Sequence, residues 1–422
     1  MQEIPLFNQY EGYVTHIEEQ LESFGYSKYH KKGLVNFYCK FDAEFYNLCK
    51  ALFVDNPDDF INGNSIQSLL ISKDFLDRKV GNKLLFRTIA KFFLHSLFRL
   101  FGKLKLSNKN YSPIVRRGYV EDTESLFDNN DVLRLIYPFP ISASRQIKYI
   151  RYLARNKKKY TISGFGYVPK DIFKFIKDRN YYSLYRLENR AAIRHGLELK
   201  KTNIKLVQCS DEYDIGSYWF YKVLGRAEIK SVNSAHGISK YLPYQSYTEF
   251  HVLTSTQKQF YSKFNVGLTL SIRKLTSNNK IKYVSRNELV VVFLSQANPS
   301  SPRIVHADEQ KILDIYKVIA RKYKNVTFYI KWHPNSSNFN AHIGPVKSCS
   351  DVLYGSERNL IQFSLYSTCQ VDPSFGGHKF LVETKYIKPS FVFTNDQLIV
   401  GFTELSEYIC MQLDERLGVC DG

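Results

Sequence analysis

Leu289-Val290-Val291-Val292-Phe293-Leu294 is an unbroken apolar run, the pattern of a strand buried on both faces of a parallel sheet. Asp308 to Tyr323 follows, with helical spacing through Ile312, Ile315, Tyr316 and Ile319. Val326-Thr327-Phe328-Tyr329-Ile330 then reads as a second strand. It runs directly into Lys331-Trp332-His333-Pro334. Strand, helix and strand in this order make a βαβ unit and set the fold class as α/β with parallel sheets.

Working upstream, the same alternation recurs. Val132 to Tyr137 reads as a strand stopped by Pro138 and Pro140, and Ser144 to Tyr160 as a helix ending in Lys157-Lys158-Lys159. Ile204 to Gln208 and Phe250 to Leu253 are further strands, the latter followed by a helix over Thr256–Phe264. Ser271 to Asn287 is polar and basic with little periodicity, which reads as a linker. A chain of 422 residues exceeds one ordinary core. The expected division is an N-terminal domain over 1–270, a linker over 271–287 and a C-terminal domain over 288–422.

Hydrophobic residues at 44% and charged residues at 23% describe a globular chain, not a disordered one. The formal net charge of +19 calls for an anionic partner: nucleic acid, an anionic membrane or a negatively charged substrate. Seven dispersed Cys without a CxxC pair fit a reducing cytoplasm better than a disulfide framework. Met1-Gln2-Glu3-Ile4-Pro5 offers no basic n-region and no apolar h-region, so no signal peptide is expected. No uncharged apolar stretch reaches the ~18 residues of a membrane span.

Lys83 to Lys105 stands apart. Lys83, Arg87, Lys91, His95, Arg99 and Lys103 recur every fourth residue among Phe and Leu, and Arg78 to Arg117 holds no acid. This spacing predicts a basic amphipathic helix. It is either a core helix or one that lies on an anionic membrane.

Four constellations fall on loops after predicted strands, where parallel sheets bind ligands. His333, with Pro334 fixing its loop, is placed to donate to a phosphate; the alternative is a strand-ending turn. Ser364-Leu365-Tyr366-Ser367-Thr368, with Asp372-Pro373-Ser374-Phe375-Gly376-Gly377 behind it, is an anion-binding helix start or a plain N-cap with a tight turn. In Ala235-His236-Gly237 the His is a candidate general base beside a conformationally free Gly237, or a turn residue. Ser210-Asp211-Glu212 offers two carboxylates as alternative bases or as solvated loop acids. Ser295, directly after the long apolar run, joins the donor-binding candidates. Gly164-Phe165-Gly166 is too short for a dinucleotide motif and reads as a turn. No metal-ligand spacing and no DxD occurs in the sequence.

The order of these pieces resembles the bacterial GT-B glycosyltransferases that build capsule and lipopolysaccharide, O-antigen included. The shared features are Ala235-His236-Gly237 late in the first domain, a linker, a strand ending in Lys331-Trp332-His333-Pro334, and the Ser/Thr-rich Ser364–Thr368. Sialyltransferases are the nearest likeness. The resemblance implies two Rossmann-like domains facing a cleft, with a terminal helix over Glu404–Gln412 that crosses back. It implies a metal-independent transfer of sialic acid from CMP-sialic acid to a lipid-linked glycan at the inner face of the cytoplasmic membrane. His333 would touch the donor phosphate, Ser367 and Thr368 would hold the phosphate or the sugar carboxylate, and the first domain would supply the base. The acidic base motif of several sialyltransferases is missing; Ala235-His236-Gly237 stands near its place. A CDP-glycerol polyol-phosphate transferase shares the HG and HP motifs. From other classes, a basic nucleic-acid-binding protein and a non-catalytic membrane assembly factor remain; against the former, no nucleic-acid module is present.

Overall fold

A computed structural model describes residues 5–26, 28–41, 73–107, 114–116, 132–137, 143–202, 204–211, 216–235, 242–273, 281–297, 303–333, 343–349, 352–370, 372, 375–385, 387, 389 and 397–418. Helices α1 (Pro5–Ser23), α2 (Lys28–Phe41), α3 (Lys73–Asp77) and α4 (Asn82–Ser107) come first. A first sheet then collects β1 (Ile114–Arg116), β2 (Leu133–Ile136), β3 (Tyr160–Ile162), β4 (Leu206–Cys209), β5 (Lys230–Ser234), β6 (Glu249–Val252) and β7 (Thr269–Ile272). Its helices are α5 (Ala143–Arg155), α6 (Pro169–Asp178), α7 (Tyr181–Lys200), α8 (Ser217–Arg226) and α9 (Ser255–Phe264). A second sheet draws on β9 (Val290–Leu294), β10 (Thr327–Lys331), β11 (Lys347–Ser348), β13 (Leu360–Ser364), β14 (His378–Glu383) and β15 (Leu398–Gly401), with α10 (Arg303–Lys322) and α11 (Leu405–Leu417). A small pair, β8 (Ile281–Tyr283) and β12 (Val352–Tyr354), stands apart.

The seven strands of the first sheet run β3-β2-β1-β4-β5-β6-β7, and the six of the second run β11-β10-β9-β13-β14-β15. Every pairing in both is parallel. Counted by appearance within its own sheet, each follows 3-2-1-4-5-6, the order of a doubly wound Rossmann sheet. The first carries one strand more at its edge.

The apolar run that opened the argument explains why the second sheet is covered on both faces. All five residues of β9 are buried. Val291 and Phe293 join Ile312, Tyr316 and Ile319 of α10 in one core. Val290, Val292 and Leu294 point the other way, into a separate core with Val352, Leu353 and Phe375. Alternate residues of one strand thus feed two cores, which is why no polar residue interrupts it.

Several boundaries differ from the sequence reading. The helix expected to reach Tyr160 stops at Arg155, because Lys157 takes φ 51 and Tyr160 opens β3. The expected linker over 271–287 is narrower. Ser271 and Ile272 complete β7, while Ile281–Tyr283 form β8, paired in parallel with β12. Ile281 and Val284 pack on the Val290–Leu353 core, so apolar burial claims this stretch for the second sheet. Helix α11 packs on that same sheet: Tyr408 meets His378 and Phe380 of β14, and Asp414 accepts from Tyr323 at 2.8 Å.

Helix α4 is divided residue by residue between protein and solvent. Thr88, Phe92 and His95 are buried. Lys91 pairs with Glu188 of α7 at 2.8 Å, and Arg99 pairs with Glu198 of the same helix. Burial raises the Glu198 carboxyl, but hydrogen bonds from His195 and Arg99 outweigh it and hold its pKa at about 2. Three members of the basic series therefore face protein, whereas Lys83 and Arg87 stay exposed. Among the described residues, no helix is long and apolar enough to cross a membrane.

The N-terminal helices, unread in the sequence, dock on the first unit through Tyr244. Its backbone exchanges hydrogen bonds with the Asn36 amide, and its hydroxyl donates to Glu18 at 2.7 Å.

Candidate functional site

In a doubly wound sheet, ligands bind beyond the carboxyl ends of the strands, where the strand order reverses. In the second sheet that point lies between β9 and β13. Ser295 follows β9, His333 follows β10, and Ser367 follows β13. Three sequence candidates thus stand on three adjacent strand ends. β10 and β13 flank β9, so their ends are about 10 Å apart at ordinary strand spacing.

Their local chemistry differs. His333 is half-buried just past Lys331, while its neighbour Trp332 turns inward and donates to Ser348 Oγ at 3.3 Å. That contact anchors the turn that carries the histidine. Pro334 lies outside the described residues.

Ser367 is buried, and its Oγ accepts from Cys369 N–H at 3.2 Å. Ser364 Oγ in turn accepts from Ser367 N–H at 3.1 Å. The helix started here is the three-residue 3₁₀ turn Thr368–Gln370. Ser367 thus caps this turn, and the Thr368 side chain lies outside the described residues. Gly376 and Gly377 serve packing. Gly377 has φ +87, and a Cβ on it would meet Leu360 Cγ at 2.7 Å.

Ser295 is turned inward. Its hydroxyl donates to Glu309 Oε2 at 2.6 Å, and Glu309 Oε1 accepts the N–H groups of Gln296 and Ala297. The loop after β9 therefore binds a carboxylate of its own chain where a Rossmann loop would cradle a phosphate. In this arrangement the Ser295 hydroxyl holds the loop through Glu309.

Burial pushes the Glu309 carboxyl up to about 7, against the opposing hydrogen bonds from Ser295, Gln296 and Ala297. A raised folded-state pKa stabilises the protein at low pH and loses that contribution as pH rises through about 7. Glu309→Gln keeps the shape and a carbonyl that accepts from Gln296 and Ala297, turns the Ser295 hydroxyl from donor to acceptor, and cannot ionise. It should be close to neutral at pH 5 and stabilising at pH 8, by on the order of 3 kcal/mol at ~1.4 kcal/mol per pKa unit. Urea unfolding at both pH values measures this; an equal effect at both would contradict it.

Two cations not among the sequence candidates lie within electrostatic reach of Cys369 in the loop after β13: Lys331 at the carboxyl end of β10 and Lys379 near the start of β14. Lys379 donates to the Asp372 carbonyl at 3.0 Å, and burial lowers its ammonium pKa, opposed by Asp372 and Cys369. The signal for Lys379 was present: it is a lysine leading into the apolar Phe380-Leu381-Val382.

In the first sheet, Asp211 follows β4 and Ala235 follows the adjacent β5. The two candidate base loops are therefore neighbours. Asp211 is buried, with both carboxylate oxygens accepting from Tyr221 at 3.0 Å and its N–H donating to Asn233 Oδ1 at 3.2 Å. In this arrangement it ties the β4 end to α8 and β5. Glu212, His236 and Gly237 lie outside the described residues. Among the described residues, no group of three or more His, Cys, Asp or Glu is placed to hold a metal.

No family model matches the chain, and none of the curated proteins matches it in sequence.

Proposed function

We propose that the chain is a GT-B glycosyltransferase that binds its nucleotide-sugar donor at the carboxyl end of the second sheet and its acceptor at that of the first. The observation that carries this reading is the pair of successive parallel sheets with one strand order, together with His333 and Lys331 at the end of β10, beside the reversal between β9 and β13. An imidazole and an ammonium there suit a donor whose leaving group is a nucleotide phosphate. The net charge of +19 attracts such an anion.

Within this reading, the donor is CMP-sialic acid and the acceptor a lipid-linked glycan of O-antigen or capsule synthesis. Catalysis needs no metal: the leaving phosphate is met by His333 and Lys331, and the base comes from the loops after β4 and β5, with His236 or Glu212 in that role. The enzyme works at the inner face of the cytoplasmic membrane. CDP-glycerol is the competing donor, since the same end of the sheet would accept either cytidine nucleotide.

A thermal-shift series with CMP, CDP, UDP and GDP tests the proposal. Ligand at about 100 times its Kd stabilises the fold by ~2.7 kcal/mol. CMP should raise the melting temperature by several degrees and lose that effect in Lys331→Ala. Polyol-phosphate transfer from CDP-glycerol also releases CMP, so labelled donors separate the two: transfer from CDP-glycerol and none from CMP-sialic acid would redirect the assignment to polyol-phosphate transfer. No response to any nucleotide, with no transfer from labelled donors, would overturn the proposal.

A further inference from the structure

Helix α4 has two faces with different fates. Thr88, Phe92, His95 and Arg99 turn to the protein. Phe86, Phe93 and Leu97 recur at i, i+7 and i+11, which is one line along the opposite side. They are 69%, 65% and 52% exposed. Folding leaves two phenylalanines and a leucine in water on one helix, beside exposed Lys83 and Arg87.

The neighbouring helix repeats the pattern. α6 touches α4 and buries Ile172 and Phe175, while Phe173 and Ile176 point outward. Lys170, Lys174 and Lys177 are exposed around them. The one buried acid of this helix, Asp171, is taken up by Arg190 and Arg194 of α7. Asp178 at its end is exposed and is outnumbered by the lysines.

We propose that the outward sides of α4 and α6 form a docking surface for an anionic lipid bilayer. Large apolar side chains ringed by cations of one sign match the two layers of such an interface: Phe and Leu enter the acyl boundary, and Lys and Arg meet the headgroups. A second copy of the chain is a poorer occupant, because two such faces would bring like charges together. Lys91 and Arg99 take no part, being engaged with Glu188 and Glu198. The inference stands apart from the donor-site reading, since binding is measured without turnover.

Co-sedimentation of the full chain with vesicles tests it. The protein should pellet with phosphatidylcholine vesicles carrying phosphatidylglycerol, much less with phosphatidylcholine alone, and less as salt rises. Arg87→Gln and Lys174→Gln should each weaken partition roughly fivefold, since a cation near an anionic surface contributes ~1 kcal/mol. Phe86→Ser, Phe93→Ser and Leu97→Ser combined should weaken it at least about tenfold. Their melting temperature should hold near that of the parent, because these side chains already face water. Val318→Ser, an exposed apolar site on α10, should change nothing. Equal binding to neutral and anionic vesicles, or partition unmoved by either set of substitutions, would overturn the proposal. So would a concentration-dependent dimer that the serine variant dissolves, which would give the face to a second copy.

Discussion

Replacing His333 by alanine is expected to lower the rate of sugar transfer by about 10²-fold, while leaving the protein folded. The side chain is half-buried at the end of β10, and the turn beneath it is held by Trp332, whose indole donates to Ser348. Removing the imidazole leaves that anchor in place, and a thermal melt of the variant separates a loss of rate from a loss of fold. In the proposed reaction the cost falls on the leaving group. As the bond to the sugar breaks, charge builds on the nucleotide phosphate, and a donor fixed there strengthens its contact in the transition state. The loss should therefore appear mainly in kcat, with KM changing less. His333→Gln, which retains a donor, should recover part of the rate. Activity within a few-fold of the parent in a folded His333→Ala protein would remove His333 from the chemistry.

The legible part of the fold was the part whose signal is local. Val290–Leu294 and Thr327–Lys331 read as strands because burial on both faces demands an apolar run, and α10 because its core face repeats every three to four residues. What stayed hidden depends on distant partners. Lys91 and Arg99 read as part of one basic helix side, yet their acids, Glu188 and Glu198, come from α7, about a hundred positions away. β8 looked like linker because Ile281-Lys282-Tyr283 is too short to show a period, and only pairing with β12 makes it a strand.

The candidate site was legible in the strand ends that carry it more than in its hydrogen bonds. Ser295, His333 and Ser367 were expected at strand ends and stand there. Their hydrogen bonds could not be read. The internal carboxylate that engages Ser295 did leave a trace: Glu309 lies three residues before Ile312 and seven before Tyr316, on the apolar face of α10. An acid on a core-facing side is buried unless the helix rolls, and a buried acid needs donors. The N–H groups of Gln296 and Ala297 and the Ser295 hydroxyl supply them.

Gly164→Ala should be among the most destabilising single changes in this chain, although it adds one methyl group. Gly164 sits in the loop after β3, and a Cβ built there lies 2.6 Å from the His95 carbonyl carbon and 2.9 Å from its Cα. Both atoms belong to the backbone of α4, so no rotamer change relieves the overlap. Either the loop or the helix must move. Moving the loop displaces Phe165, which stacks on Tyr137 with ring centroids 4.7 Å apart and donates its N–H to His95 Nδ1 at 2.9 Å. Moving the helix pulls Lys91 from Glu188 and Phe92 from the core. Overpacking of this kind costs about 1–3 kcal/mol where side chains can yield, and a backbone obstacle places the expected loss at the upper end or above it. The melting temperature should fall by roughly 5 °C or more. Gly225→Ala is the matched control: a Cβ there meets nothing within 4 Å, and the residue is helical, so its melting temperature should hold or rise slightly. If Gly164→Ala melts with the parent, α4 does not press on this loop, and the placement of Phe86, Phe93 and Leu97 on its outer side fails with it.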